Sequence, residues 1–274
     1  MVETSTLFNK NASDKGNRSR QLLLAGSAIG IAVSASVVAA GLGYAAGAAF
    51  IDPLGTHNKS HWIKSHNWKN GYEKNNTGWR RENVRFTGGI MNLDLTSRPT
   101  AGTPYAGGEY QSRAFYHYGR FEARIRAVSY PGVVTAFFTY TGPTFNGDPH
   151  HEIDFEFLGD KPRQVQLNYF TDGVGDHETL IDLGFDSSQD FNTYAFEWRP
   201  DSIRWFVNGV QVHEETGARG PLPAVPGKIY FHLWAGKDLT EWLGDFVYPG
   251  RPLTAQVSCV AFRPLDSDGP TCEE

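Results

Sequence analysis

Three acidic residues alternate with apolar residues in the segment HEIDFEFLG, residues 151–159. Successive side chains of a β-strand point to opposite faces, so Glu152, Asp154 and Glu156 would line one face of such a strand. No basic residue lies between them, and like charges held this close repel, at a cost that grows when they are desolvated. A solvated structural face would mix charges of both signs. The pattern therefore favours a catalytic site over a solvated acidic strand.

Crowded carboxyl groups can perform retaining glycoside hydrolysis. The reaction uses an ionised carboxylate as nucleophile and a protonated carboxyl group as acid, about 5–5.5 Å apart. Neighbouring acids drive their pKa values apart, because ionising one disfavours ionising the next. We predict that one glutamate is the nucleophile and the other the acid/base, with Asp154 hydrogen-bonded to the nucleophile and helping to hold the proton on the acid. Residues four apart on a flat strand have Cα atoms about 13 Å apart, so strand twist and leaning side chains must close the gap.

The elements around this segment are predicted to be strands. Two-residue alternation marks residues 120–127 and 193–198, and Asn208-Gly209 between two apolar runs is typical of a type I′ hairpin. Further strands are predicted at 165–169 and 229–234. Many strands at short spacing, separated by Gly, Pro, Asp and Asn, predict an all-β, antiparallel two-sheet sandwich.

Composition limits the classes of function. The chain has 274 residues, 40% of them hydrophobic and 14% aromatic, which suits one all-β domain with an N-terminal extension. The net charge of −5, without a block of Lys or Arg in the body, argues against nucleic-acid binding. Cys259 and Cys272 match neither a disulfide framework nor a metal-site spacing, and the sequence leaves one local disulfide open.

The N-terminal residues 1–51 are predicted to be a cytoplasmic basic segment followed by a signal peptide or signal anchor, and residues 52–274 the catalytic domain. Lys15, Arg18 and Arg20 precede a run without charged residues from Gln21 to Ile51. This run is long enough to span a bilayer, and it ends in small residues that a signal peptidase accepts. Secretion, periplasmic release and membrane anchoring through residues 21–50 all stay open, with the catalytic domain outside the cytoplasm in each case.

The acidic segment resembles the signature of glycoside hydrolase family 16, and most closely its bacterial licheninases, the endo-β-1,3-1,4-glucanases. In that signature the two glutamates are nucleophile and acid/base, so the resemblance implies Glu152 as nucleophile and Glu156 as acid/base. The single residue between Asp154 and Glu156 is the form found in licheninases and plant xyloglucan-active enzymes. Further segments resemble licheninases in the same order from Trp68 to Phe262, among them 137–143, 183–191 and 196–201. The resemblance implies a jelly-roll sandwich, concanavalin-like, with a substrate cleft across its concave sheet.

The resemblance also implies a set of sugar-contacting residues. Aromatic faces would stack on pyranose rings, while Asn and Glu side chains would bond hydroxyl groups. The set comprises Glu109, Phe138, Tyr140, Asn168, Trp234 and Trp242, with Asn70 as a further candidate. The partner would be a β-glucan polysaccharide and the protein a monomer. No cofactor is expected for catalysis, and a structural calcium ion, found in relatives, is an open expectation without assigned ligands.

Several positions depart from the licheninase pattern. His150-His151 replaces the usual Trp-Asp, Gln111 an Arg, Phe170 a Tyr and His232 an Asn, and Thr77 lies near the position of a missing cysteine. His151 should point away from the acidic face and so take no direct catalytic part. The departures leave hydrolysis of β-1,4 bonds in mixed-linkage glucan as the first hypothesis. An exopolysaccharide depolymerase or transglycosylase of the same family is the second. A non-catalytic carbohydrate-binding sandwich is the third, and the three acids argue against it.

Overall fold

A computed structural model describes residues 47–145 and 147–272. The predicted basic segment and almost all of the predicted signal or anchor, residues 1–46, lie outside the described residues, so those predictions stand as made. Within the described part of the chain, no helix has both the length and the apolar character needed to cross a membrane.

The described residues form seventeen strands, one short 3₁₀ helix and one short α-helix. The strands are β1 (Phe50–Asp52), β2 (Trp62–Lys64), β3 (Thr77–Trp79), β4 (Val84–Thr87), β5 (Ile90–Thr96), β6 (Tyr105–Gly107), β7 (Glu109–Ser112), β8 (Gly119–Arg126), β9 (Val133–Thr141), β10 (His151–Leu158), β11 (Gln164–Phe170), β12 (Thr179–Asp182), β13 (Asn192–Trp198), β14 (Ile203–Val207), β15 (Val210–Glu215), β16 (Lys228–Ala235) and β17 (Leu253–Pro264). The 3₁₀ helix is Arg81–Asn83 and the α-helix, α1, is Thr240–Leu243.

The strands make two sheets. The first, here called the outer sheet, runs β15-β14-β13-β8-β17-β5-β6-β3, with β1 beside β17 and β4 beside β5. The second, the cleft sheet, runs β12-β11-β10-β9-β16-β7-β2. All strand pairs are antiparallel except β3 with β6. The predicted antiparallel jelly-roll sandwich is therefore confirmed.

The core lies between the sheets, and it explains the apolar half of the β10 alternation. Ile153, Phe155 and Phe157 are buried, and the Phe155 and Phe157 rings contact Tyr194 of β13, with ring centroids 5.6 and 4.6 Å apart. Burying a phenylalanine side chain contributes about 1.5–3 kcal/mol. The same residues therefore fix the strand on the core and leave its acidic residues on the other face.

The local turn and strand predictions are also confirmed. Asn208 and Gly209 have φ angles of 48° and 77°, the two positive values that a type I′ turn requires. The alternating runs at 120–127 and 193–198 form β8 and β13, and the other two predicted strands form β11 and β16.

A disulfide joins Cys259 of β17 to Cys272, with Cα atoms 5.8 Å apart. It settles the pairing that spacing alone left open. The bond ties the C-terminal tail to the outer sheet, where the backbone N–H of Cys272 also donates to the Glu122 carboxylate.

Candidate active site

The three predicted catalytic acids share one face of β10, here called the cleft face. Glu152 and Glu156 are half-buried, and Asp154 is buried. The neighbouring strands β9 and β11 hold β10 on both sides, which fixes what surrounds each acid. Glu152 lies opposite Tyr140 and Phe170, Asp154 opposite Phe138 and Asn168, and Glu156 opposite Ala136 and Gln166.

Asp154 is the most enclosed of the three acids. Burial raises its pKa well above the ordinary value, and the charges of Glu152 and Glu156 and a hydrogen bond shared with Glu152 raise it further. Among the described residues, its Oδ2 atom has no hydrogen-bond partner. Burial and these neighbouring charges therefore favour the protonated form of Asp154, which can donate a hydrogen bond to Glu152. From the core side, Trp205 Nε1 donates to the Asp154 backbone carbonyl at 3.1 Å, which fixes the strand here.

Glu156 has the electrostatics of a general acid. Burial raises its pKa to about 8; a hydrogen bond from Gln166 opposes that shift, and the charges of Glu152 and Glu178 add to it. Gln166 Nε2 donates to Glu156 Oε2 at 2.7 Å, while Gln166 Oε1 accepts from Trp242 Nε1 at 3.0 Å. The tryptophan thus orients the amide that orients the acid. Glu156 is protonated at neutral pH and can give its proton to a departing sugar oxygen.

Glu152 has a different set of neighbours. Its Oε2 atom lies 2.6 Å from His150 Nε2, and the His150 ring stacks on Phe170. Glu152 is thus bonded to a base, His150, whereas Glu156 is bonded to the neutral amide of Gln166. This is the asymmetry that separates a nucleophile from an acid.

Aromatic side chains continue the cleft face beside the acids, as an aromatic cluster of Trp79, Phe138, Tyr230 and Trp234, with Tyr140 and Trp242 packed against it. The Trp234 and Trp242 rings lie 6.2 Å apart, and Phe138 stacks on Tyr230 at 5.0 Å. Trp234 and Phe138 are only 5% and 6% exposed, whereas Tyr140 and Trp242 are half-buried. All four predicted aromatic contacts therefore lie at the face that carries the acids.

The polar candidates lie on both sides of β10. Glu109 on β7 is buried, accepts a hydrogen bond from Ser65 Oγ at 2.6 Å and lies 3.9 Å from His232 Nδ1. Asn168 on β11 donates to Glu178 Oε1 at 3.4 Å. The strand register places both residues on the cleft face, because Asn168 is the Cα partner of Asp154, and Glu109 lies opposite His232, which lies opposite Ala136.

Asn70 lies outside the strands, where its Oδ1 atom accepts from Asn75 Nδ2 at 2.9 Å and caps the backbone N–H of Tyr72. These bonds give Asn70 a role in shaping its loop. The Tyr72 ring meets Trp234 edge-on at 6.2 Å, so this loop borders the aromatic cluster.

His151 points away from the acids, as predicted. Its Nε2 atom lies 3.2 Å from Asp172 Oδ1, and its Nδ1 atom accepts from the Ala224 backbone N–H at 3.0 Å. His151 is buried and joins two loops, which is a structural role.

Sequence reasoning missed Gln166, Glu178 and Tyr72. Gln166 carried a usable signal, because it stands two residues before Asn168 in a predicted strand and so shares its face. Glu178 and Tyr72 lie outside regular strands, where no periodicity indicates the direction of a side chain.

The sequence profile of Glycosyl hydrolases family 16 matches residues 71–249. Among similar proteins, the "Beta-glucanase" of Brevibacillus brevis is 42% identical over 222 residues, covering 81% of this chain and 84% of that protein. The "Beta-glucanase" of Bacillus subtilis (strain 168) is 43% identical over 218 residues, covering 79% and 87%.

This chain belongs to glycoside hydrolase family 16.

Solved structures agree with the family 16 assignment. A beta-glucanase of Bacillus licheniformis superposes with a TM-score of 0.74 at 41% identity, covering 79% of this chain and 98% of that one. A prokaryotic beta-1,3-1,4-glucanase (lichenase) from a mouse hindgut metagenome also gives 0.74, at 40% identity, covering 80% and 100%. This family 16 enzyme therefore has the jelly-roll fold and the cleft of these glucanases.

Metal binding was left open for this family 16 chain. Among residues 47–145 and 147–272, no three His, Cys, Asp or Glu side chains come together in a way that could hold a metal ion. Calcium also accepts backbone carbonyl ligands. The structural calcium ion stays a prediction, and the proposed chemistry uses none.

Proposed function

We propose that this enzyme is a retaining endo-β-glucanase that hydrolyses β-1,4 bonds in mixed-linkage β-1,3-1,4-glucan. The observation that carries the proposal is the pair of unlike glutamates on one face of β10. Glu156 has a pKa raised to about 8, and Glu152 is bonded to a histidine. The names of the similar glucanases support the choice of substrate over the exopolysaccharide and binding-module alternatives.

The proposed reaction has two steps. The Glu152 carboxylate attacks the anomeric carbon while Glu156 gives its proton to the departing sugar oxygen, so a C–O bond forms as the glycosidic C–O bond breaks. Asp154 keeps its proton and donates a hydrogen bond that orients Glu152. Glu156, now ionised, takes a proton from water, which attacks the glycosyl-enzyme and releases a product of retained configuration.

The sugar chain would lie across the cleft face. Tyr140, Trp234 and Trp242 offer ring surface for stacking, and Glu109 and Asn168 offer hydrogen bonds to hydroxyl groups. Phe138 is nearly buried, so its contribution would be support for Tyr230 and its neighbours together with a small contact of its own.

Reducing-sugar release tests this proposal on lichenan, barley β-glucan, laminarin and xyloglucan, with Glu152→Gln as the control. We expect rapid release from the first two, none from the variant, and a β-configured first product by NMR. Release from another polysaccharide alone would keep the mechanism and reject the substrate. An α-configured product would reject the retaining mechanism.

We also propose that the segment before β1, residues 1–49, directs export, with the catalytic domain outside the cytoplasm; the predicted boundary after residue 51 moves because Phe50 and Ile51 pair with β17. The disulfide between Cys259 and Cys272 supports this, because such bonds persist in oxidising compartments. Cell fractionation and N-terminal sequencing of the mature protein test it. Recovery of the intact chain from the cytosol would contradict it.

A further inference from the structure

His150 stands two residues before Glu152 and faces the same side of the sheet. Its Nε2 atom lies 2.6 Å from Glu152 Oε2, and the two side chains are 29% and 18% exposed. Within the described residues, no lysine or arginine forms an ion pair with Glu152. His150 is therefore the basic group that sets the surroundings of the proposed nucleophile.

The ring of His150 is fixed from two sides. It stacks on Phe170 with centroids 4.8 Å apart and planes 15° apart, and it meets Tyr140 at 5.1 Å and 60°. Phe170 and Tyr140 are the Cα partners of Glu152 on the two flanking strands. The main chain is held as well, because the Gly173 N–H donates to the His150 carbonyl at 3.0 Å. Ring packing thus aims Nε2 at the carboxylate.

We propose that His150 is a positioning residue for the nucleophile, holding Glu152 Oε2 so that Oε1 faces the anomeric carbon. An ionised carboxylate can only accept a hydrogen bond, so Nε2 carries the hydrogen. The inference rests on the proposed function, because it takes Glu152 as the nucleophile. It extends that function by assigning a role to His150, a residue at which this chain departs from the licheninase pattern.

Other titratable groups surround this ring. Tyr140 faces it from β9, and its pKa is raised by burial and by the Glu152 charge. Asp148 precedes His150 on the same loop and bonds Thr141, and Asp172 lies beyond β11 and pairs with His151. Asp172 is directed at the neighbouring histidine, which leaves Glu152 as the carboxylate bonded to His150.

Two substitutions separate positioning from packing. His150→Phe keeps a ring to stack on Phe170 and removes the donor, and His150→Gln keeps an Nε2 donor and removes the ring. We expect His150→Phe to lower kcat/KM for an activated aryl β-glucan oligosaccharide roughly 10- to 100-fold, the scale of one hydrogen bond to a charged group. His150→Gln should recover most of that loss.

A second histidine–glutamate pair supplies the matched control. His213 Nε2 lies 2.8 Å from Glu215 Oε1, again two residues apart, on β15 of the outer sheet. His213→Phe removes the same kind of bond at the far sheet and should leave kcat/KM and its pH profile unchanged.

Three outcomes decide the matter. Wild-type kcat/KM in both His150 variants would overturn the inference. A loss in His150→Phe that His150→Gln does not recover would also overturn it and indicate a packing role. Full activity of Glu152→Gln in the same assay would instead reject the proposed function.

Discussion

Strands β8 and β10 carry the same alternation of charged and apolar residues, and they differ in how the charges are balanced. On β8 of the outer sheet, Glu122 is 2% exposed and pairs with Arg120 at 3.0 Å. Arg124 and Arg126 lie over the Phe191 ring. On β10 of the cleft sheet, three acids stand together, and among the described residues only His150 offers them a base.

The charged faces of β8 and β10 therefore have different roles. On β8 each charge meets an opposite charge or an aromatic ring, so the strand face contributes only to the fold. On β10, Asp154 and Glu156 have no such partners among the described residues, and burial, followed by the charges of neighbouring carboxylates, raises their pKa values. The folded protein thus gives up some stability to hold an acid that is protonated at neutral pH.

Replacing the proton donor on β10 should have the largest effect on activity. Glu156→Gln removes the proton donor and should lower kcat/KM on barley β-glucan about 10²- to 10⁴-fold. It should cost far less on an aryl glycoside whose leaving group needs no proton. Glu122→Gln on β8 should keep full activity on both substrates. Equal losses on the two substrates for Glu156→Gln would contradict its role as acid.

The pH profile gives the next largest effect. Since Glu156 must carry its proton, kcat/KM should fall as pH rises through about 8, reaching about tenfold per unit beyond it. Gln166→Leu removes the hydrogen bond that opposes the rise in the Glu156 pKa, so the alkaline limb should move to higher pH. A limb that stays in place or moves down would show that Gln166 does not control this acid.

On the outer sheet, the corresponding substitution should lower stability and leave activity unchanged. Glu122→Gln removes the charged partner of the half-buried Arg120 and should lower the free energy of unfolding by about 1.5–3 kcal/mol. Urea denaturation near neutral pH measures it. An unchanged midpoint would show that the β8 ion pair contributes nothing net, and would remove the contrast between the strands.

The smallest expected effect is a pH dependence of stability. A carboxyl group whose pKa is raised by folding binds its proton more tightly in the folded state, so its stability contribution is lost as pH rises from the ordinary carboxyl range to about 8. Glu156→Gln does not titrate. The unfolding free energy of this variant, relative to that of wild type, should therefore increase by at least about 1 kcal/mol between pH 5 and pH 8. A constant difference across that range would contradict the raised pKa.

Local patterns were enough to predict much of the fold. The period of two in β8, β10 and β13 marks which residues meet the core, and Asn208-Gly209 fixes a hairpin through its own backbone preference. The catalytic acids could be predicted from the same period, because a strand with a purely structural role would mix charges of both signs on its solvated face.

Contacts between distant segments could not be predicted. Gln166 and Trp242 are separated by 76 residues, and the stack of His150 on Phe170 depends on how β10 and β11 are registered. No periodicity encodes such pairings. The disulfide was undecided for the same reason, because it depends on the tail returning to β17.

The two ends of the described domain meet beside a single strand. β1 pairs with β17, the disulfide holds Cys272 to β17, and a Cβ atom built at Gly269 would lie 3.7 Å from that of Ala49. Ends this close can be joined by a short linker and the chain reopened at an exposed turn. The Asn208-Gly209 turn of the outer sheet offers such a place. The domain is thus suited to circular permutation that leaves every strand of the cleft sheet uninterrupted.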